Sequence, residues 1–149
     1  MLSYQEQKNI TSLVASLGTT GVYCWTMLHD KSLEFLSSPE ASQFWGKLFL
    51  LLIPISIVVR IVAIILLNIS YRIRTREEEP NFADELDKLI ELRANRNGYF
   101  MFVVGFLAAM AALALGYNSM LLFPIFLVTG MLSEVVSTIS SQVMYRRGV

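Results

Sequence analysis

The chain has 149 residues, 54% of them hydrophobic and only 16% charged, with a formal net charge of zero. So much apolar sequence in long runs excludes an ordinary soluble domain and predicts a membrane protein. The single cysteine, Cys24, excludes an intrachain disulfide bond.

Four apolar segments are each long enough to cross a bilayer, which needs about 20 residues. The first, residues 10–28, is diluted by serine and threonine, which are tolerated where a helix packs inside a bundle. The other three are residues 44–73, 98–117 and 119–145. The sequence therefore predicts an all-α protein in which residues 1–149 form one four-helix membrane domain.

The distribution of lysine and arginine predicts the orientation of these spans. Nine of these residues lie near the two termini and in the central loop, and two lie on the opposite side. Because positively charged residues are retained in the cytoplasm, we expect a multi-pass protein with both termini in the cytoplasm.

The longest polar stretch between the spans is the cytoplasmic segment 74–97. Its first part is expected to be extended, because Pro80 disfavours helix in the residue before it. Asn81 can then cap a short amphipathic helix that lies against the membrane or the bundle. The acidic residues have two interpretations, a solvated, charge-balanced linker or a docking surface for a protein partner. This candidate docking surface consists of Glu77, Glu78, Glu79, Asp84, Glu85 and Asp87.

An internal repeat is suggested by the ends of the second and fourth spans, "NISYRI" and "QVMYRR". They can be superposed so that Tyr71 lies on Tyr145, and in the same register Arg60 lies on Glu134. The two halves would then be parallel repeats of a helical hairpin, related by an axis along the membrane normal. The alternative is a chance resemblance between two hydrophobic hairpins.

Arg60 and Glu134 are charged residues inside predicted spans. Each is twelve residues from an arginine at the cytoplasmic end of its helix, a distance of about 18 Å, near the midplane of a core about 30 Å thick. Because a lone charge there costs about 2.5–3.5 kcal/mol or more, we predict that the two form an ion pair. A polar stripe is expected beside them, made of Ser56, Ser137, Thr138 and Ser141. The pair either locks two helices together or provides a carboxylate for proton or cation coupling.

The run "TREEEPNFADELDKLIELRANRNGYFMF" and the C-terminal "YRRGV" resemble a family of uncharacterised four-span bacterial inner-membrane proteins. In that family a cytoplasmic segment of the form "DERDxLIELKAxRN" enters the third span, and the chain often ends near "YRRG". The likeness covers mainly residues 75–110 and the C-terminus, with a similar "FW…LLIPISIV.R" second span. Leu86 stands where the family pattern has arginine, so no charge pairing at that position is carried over. The resemblance implies four spans and a bacterial inner (cytoplasmic) membrane, and it implies no reaction.

The sequence contains neither a recognised catalytic motif nor a metal-binding cluster, since His29 is the only histidine. We therefore expect a protein that is not an enzyme and has no cofactor and no metal. Two functions fit the sequence. The first is an interaction or regulatory component of the inner membrane, and the second is a small proton- or cation-coupled transporter that acts as a dimer with Glu134 as coupling carboxylate. The expected partners are the lipid bilayer, a membrane or cytosolic protein bound through residues 74–97, and a second copy of the chain, but not nucleic acid.

Overall fold

All the regular elements in the described part of the chain are helices. The structure, a computed structural model, describes residues 4–75 and 85–147. A 3₁₀ turn, Ser119–Leu121, precedes the last helix. The five α-helices are α1 (Tyr4–Leu28), α2 (Leu33–Leu36), α3 (Ala41–Thr75), α4 (Glu85–Ala114) and α5 (Leu122–Arg147).

Three helical segments are long and apolar enough to cross a membrane: Ala41–Arg74, Glu85–Ala114 and Ser119–Arg147. Helix α1 has 25 residues but is not among them, because serine, threonine and its polar first turns dilute its apolar run. The structure therefore supports an all-helical, membrane-type protein with three spanning candidates. The fourth span stays a prediction.

The helices pair as two hairpins. Helix α1 packs along α3, α4 packs along α5, and α1 also packs against α5, so that α1 and α5 form the centre of the bundle. The N-terminal ends of α1 and α4 and the C-terminal ends of α3 and α5 lie together. Tyr4 contacts Tyr71 and Tyr145 contacts Asp87 within the hairpins, and Gln142 donates to the Glu6 carbonyl oxygen between them. We call this the basic end, since Arg72, Arg74, Arg146 and Arg147 lie in the last turns of α3 and α5.

An aromatic cluster holds the opposite end of the bundle. Trp45 is buried and stacks on Phe123, with ring centroids 5.6 Å apart and planes 3° from parallel. Its indole Nε1 donates a hydrogen bond to the carbonyl oxygen of Leu36 at 3.3 Å. The side chain of Asn118 donates to the Ser37 carbonyl oxygen at 2.6 Å, which joins the loops of the two hairpins. This end is therefore fixed both by ring packing and by polar contacts between the loops.

The turn between α4 and α5 depends on Gly116, whose φ is 83°. The amide of Tyr117 donates to the carbonyl of Ala112 at 3.1 Å, and that of Gly116 donates to Leu113 at 3.0 Å. This pair of bonds closes the C-terminus of α4 as a Schellman motif, in which the left-handed residue is favoured as glycine. The tight connection keeps α4 and α5 as antiparallel neighbours.

The described part of segment 74–97 differs from the prediction of a separate short helix. Helix α4 runs without a break from Glu85 to Ala114, and Ile90, Ala94 and Gly98 form its buried face. Neither proline nor glycine interrupts the sequence between Glu85 and Gly98, so nothing forces the helix to end before the apolar run. The predicted amphipathic helix is instead the beginning of a long helix that packs on α5.

Close packing of α4 on α5 requires glycine at two positions. A Cβ atom at Gly98 would lie 2.9 Å from the backbone oxygen of Ser133, and one at Gly105 would lie 2.0 Å from Cγ2 of Thr129. Small residues that let two helix backbones approach are typical of helix packing in membranes. Because the two helices are this close, the hydroxyl of Ser133 donates a hydrogen bond to the Gly98 carbonyl oxygen at 2.7 Å.

Candidate functional site: an ion pair between two cavities

The structure brings together the two charged side chains that the sequence pairs. Nη2 of Arg60 on α3 lies 2.6 Å from Oε1 of Glu134 on α5, a short charge-assisted hydrogen bond. The pair joins helices of different hairpins. The two side chains remain 40% and 38% exposed, so the pair is open on part of its surface. Nε of Arg60 has no hydrogen-bond partner among the described residues.

Helices α3 and α5 contact each other at two levels, and the two contacts are separated by the same number of residues on each helix. Phe49 lies eleven residues before Arg60, and Phe123 lies eleven residues before Glu134. The rings of the two phenylalanines have centroids 6.2 Å apart. Eleven residues are close to three turns at about 3.6 residues per turn, so each phenylalanine lies on the same helix face as the charged residue of its helix. The two contacts therefore bracket a gap between the helices.

The same spacing continues to the basic end. Tyr71 and Tyr145 each lie eleven residues beyond the charged residue of their helix. Each tyrosine contacts the first helix of its own hairpin: Tyr71 packs on Tyr4 at 5.1 Å between centroids, and the Tyr145 hydroxyl donates to Asp87 at 2.9 Å. The two hairpins thus use tyrosine at matched positions to join their two helices, by a ring contact in one hairpin and by a hydrogen bond in the other.

The packing relates the ion pair to the apolar runs of the neighbouring helices. Counting from Arg146 predicts a position near the midplane, but Ser133, next to Glu134, contacts Gly98, where the sequence of α4 changes from polar to apolar. The last three turns of α5 lie beside the polar first half of α4, so Arg146 lies well beyond that boundary. The pair is therefore level with the start of the apolar run of α4, whereas the apolar run of α3 continues for seven residues beyond Arg60, to Leu67.

A polar cavity of about 350 Å³ lies between α1, α4 and α5 on the side of the basic end. Three residues of the predicted polar stripe, Ser137, Thr138 and Ser141, line it together with both members of the ion pair. Hydrogen bonds order part of its wall: Asn9 Nδ2 donates to Ser141 Oγ at 2.9 Å, and Ser137 Oγ donates to Asn95 Oδ1 at 3.2 Å. The wall is therefore built largely from hydroxyl and carboxamide groups.

A second cavity of about 410 Å³ lies between α1, α3 and α5, in the gap between the phenylalanine contact and the ion pair. Arg60 and Glu134 line this cavity too, but the rest of its lining is mainly aliphatic and aromatic. The fourth member of the predicted polar stripe, Ser56, lines this cavity and not the polar one. The ion pair thus stands where a polar and an apolar cavity meet.

The structure describes only part of the predicted docking surface. Glu85 and Asp87 lie in the first turn of α4, where Asp87 accepts the hydrogen bond from Tyr145. The remaining members lie outside the described residues; they are Glu77, Glu78, Glu79 and Asp84. On the outward side of this part of α4 the side chains of Leu86, Leu89 and Leu92 are exposed.

Several site residues are not among the sequence candidates. Glu91 and Asn95 on α4 and Asn9 on α1 line the polar cavity. Phe49 lines the apolar cavity and contacts Phe123. The eleven-residue spacing to the two charges was a signal that could have found the phenylalanines. The lining residues of α1 and α4 carry no such spacing signal, because they belong to polar segments in which any helix face could be the solvated one.

Comparisons with known proteins do not assign this site. No family model matches the chain, and it is similar to none of the curated proteins and none of the solved structures searched. Within residues 4–75 and 85–147, no group of three or more histidine, cysteine, aspartate or glutamate side chains is placed to hold a metal ion.

Proposed function

We propose that the protein is an interaction or regulatory component of a bacterial inner membrane, with four spans and both termini in the cytoplasm. The asymmetric distribution of lysine and arginine supports this orientation. The resemblance of residues 75–110 to four-span inner-membrane proteins supports the location. Membership of that family is part of the proposal.

The observation that carries the partner-binding role is an exposed apolar face on α4 beyond the apolar run. Leu92 is 69% exposed, and Leu89 and Tyr99 are also exposed on the same side of the helix. Leu89 and Leu92 precede Gly98 in the polar half of α4, where lipid chains do not cover them if the apolar run fills the bilayer. Apolar side chains clustered outside the bilayer mark a protein contact.

The partner proposed is an amphipathic helix of a membrane-associated protein. Its apolar face would pack on Leu89 and Leu92, and basic residues at its rim would meet the acidic residues that precede and begin α4. The predicted docking surface supplies that acidity: Glu77, Glu78, Glu79, Asp84, Glu85 and Asp87. Helix packing of this kind uses apolar anchors at intervals of three or four residues.

Photo-cross-linking in native membranes tests this role. A photoreactive residue at position 92 should give one discrete protein adduct, and Leu89→Glu in the same chain should abolish it. The matched control position is Leu107, which is exposed on the same side of α4 but within the apolar run. Glu134→Gln should leave the adduct in place. The same adduct from position 107, or an adduct that survives Leu89→Glu, would contradict the proposal.

A second function is favoured by the placement of Glu134 between the two cavities. We propose as the alternative a proton- or cation-coupled transporter, acting as a dimer, in which the carboxylate of Glu134 exchanges Arg60 for a proton or cation. Partial exposure of the pair supports this alternative. Proteoliposomes with a pH-sensitive dye should show proton flux on addition of sodium or potassium ions, which Glu134→Gln abolishes while Glu134→Asp retains it in part. Absence of flux from the unchanged protein would rule the alternative out.

We also propose that the two hairpins arose by duplication. The matched spacing of three residues on α3 with three on α5 supports this, since each set repeats every eleven residues. The two sets are Phe49, Arg60 and Tyr71, and Phe123, Glu134 and Tyr145.

A further inference from the structure

The two cavities meet at the same two side chains. Arg60 and Glu134 line both, with a mainly apolar wall on one side of the pair and a mainly polar wall on the other. A molecule that occupied both cavities would therefore need a hydrocarbon part and a polar part joined at the level of the ion pair. Membrane phospholipids have this chemistry.

The part of the apolar cavity between the phenylalanine contact and the ion pair is as long as the hydrocarbon of one leaflet. Phe49 and Arg60 are eleven residues apart on α3, which is about 16 Å along a helix; beyond Arg60 the lining continues to Ile64. One leaflet of a core about 30 Å thick is about 15 Å deep. The ion pair is level with Gly98, where the apolar run of α4 begins. Relative to α4 and α5 the pair therefore lies at headgroup depth, whereas on α3 the apolar run continues past Arg60 to Leu67. The apolar cavity extends from the pair towards the phenylalanine contact.

The apolar cavity opens sideways to the bilayer. Ile53, Ile57 and Ile61 line it along one face of α3, and each is more than half exposed. On the facing helix Gly130 has no side chain, and a Cβ atom built there would meet nothing within 4 Å. The contact of Phe49 with Phe123 closes the far end. An acyl chain can thus enter from the side and stop at the phenylalanine rings.

The charges at the other end select the headgroup. Arg60 uses Nη2 for Glu134, and its partly exposed guanidinium keeps further donors for a phosphate oxygen. Glu91, on the wall of the polar cavity, can accept from an ammonium group. One guanidinium and two carboxylates make the lining negative by one charge, which disfavours a headgroup of net negative charge. A zwitterionic aminophosphate headgroup offers a phosphate to the guanidinium and an ammonium group to a carboxylate.

We propose that the two cavities form a binding site for one phospholipid with a phosphoethanolamine headgroup, from the leaflet that faces the basic end. One acyl chain lies in the gap between α3 and α5, the phosphate binds Arg60, and the ammonium group binds Glu91. The inference rests on the membrane-spanning arrangement of α3 and α5 in the proposed function, and not on the protein partner.

Native mass spectrometry of the purified full-length chain in detergent tests the site. The protein is given an equal mixture of phosphatidylethanolamine and phosphatidylglycerol with identical acyl chains. We expect one retained phosphatidylethanolamine. Gly130→Leu should weaken its binding at least tenfold, because the new side chain displaces two or more methylenes, each contributing about 0.8 kcal/mol, or about fourfold in affinity. Gly21→Leu is the matched control, since a Cβ atom there also meets nothing within 4 Å but lies outside both cavities.

A second variant tests the headgroup without filling the cavity. Glu91→Gln should reduce the preference for phosphatidylethanolamine by about three- to fivefold, as expected for a partly exposed ion pair, while total lipid retained stays the same. Equal retention by Gly130→Leu and Gly21→Leu would overturn the acyl-chain site. Preference of the unchanged protein for phosphatidylglycerol would overturn the headgroup assignment, and so would free phosphoethanolamine competing as well as the lipid. Loss of the cross-linked protein partner alone would affect only the proposed function.

Discussion

Neutralising one member of the Arg60–Glu134 pair should destabilise the bundle, whereas neutralising both should restore most of the loss. A group left without its partner in a buried pair costs about 3–5 kcal/mol. Here the two side chains are 40% and 38% exposed and line the polar cavity, where water can solvate the remaining charge in part. We therefore expect Arg60→Gln or Glu134→Gln to lower the free energy of unfolding by about 2 kcal/mol, or about 30-fold in the folding equilibrium.

The double variant Arg60→Gln/Glu134→Gln carries no unpaired charge, so its loss should be below about 1 kcal/mol, with a coupling of about 3 kcal/mol between the sites. The assay is unfolding in mixed micelles with increasing dodecyl sulfate, followed by far-ultraviolet circular dichroism. Lys88→Gln, at an exposed residue on α4, is the control and should change stability by less than about 0.5 kcal/mol. Effects of the two single changes that simply add in the double variant would refute the reasoning.

Two further predictions concern packing and use the same unfolding assay. Gly105→Ala should cost about 1–3 kcal/mol, because its Cβ would overlap Thr129; Gly130→Ala, which meets nothing within 4 Å, should be neutral or slightly stabilising. Trp45→Ala should cost about 3–5 kcal/mol by removing the buried ring stacked on the other hairpin, whereas Trp25→Ala, at a ring that is 72% exposed, should cost less than about 1 kcal/mol. A reversed order within either pair would contradict the packing described for α4, α5 and the aromatic cluster.

The charged pair shows what local sequence patterns can predict and what they cannot. Arg60 and Glu134 could be matched from sequence because each is rare inside an apolar run and each lies twelve residues from a terminal arginine. Their environment could not be predicted in the same way. Whether a charge faces protein, lipid or a cavity depends on the side chains of helices distant in sequence, here Asn9 and Ser12 on α1 and Asn95 on α4.

Helix α4 also shows that local sequence patterns do not predict what contacts between helices decide. The amphipathic pattern after Asp84 indicates a helix, and the apolar run after Gly98 indicates a span, but neither pattern says whether the two are continuous. The two segments form one continuous helix because both pack on α5. Ile90 and Ala94 are buried, and Asn97 donates a hydrogen bond to Ser140 at 3.1 Å. Together with the contact of Ser133 with Gly98, they place the ion pair level with the start of the apolar run of α4.

The sequence by itself determined the helical class, the membrane character and the identity of the two charges that could pair. These follow from composition, the length of apolar runs and the cost of a charge in hydrocarbon, which are properties of each segment alone. Only the tertiary structure decided that α3 and α5 meet at two levels and leave a gap between them. Close approach is decided by which small and large side chains face each other across helices, as Gly105 faces Thr129 and Phe49 faces Phe123. That distribution of contacts forms the two cavities and places the ion pair between them.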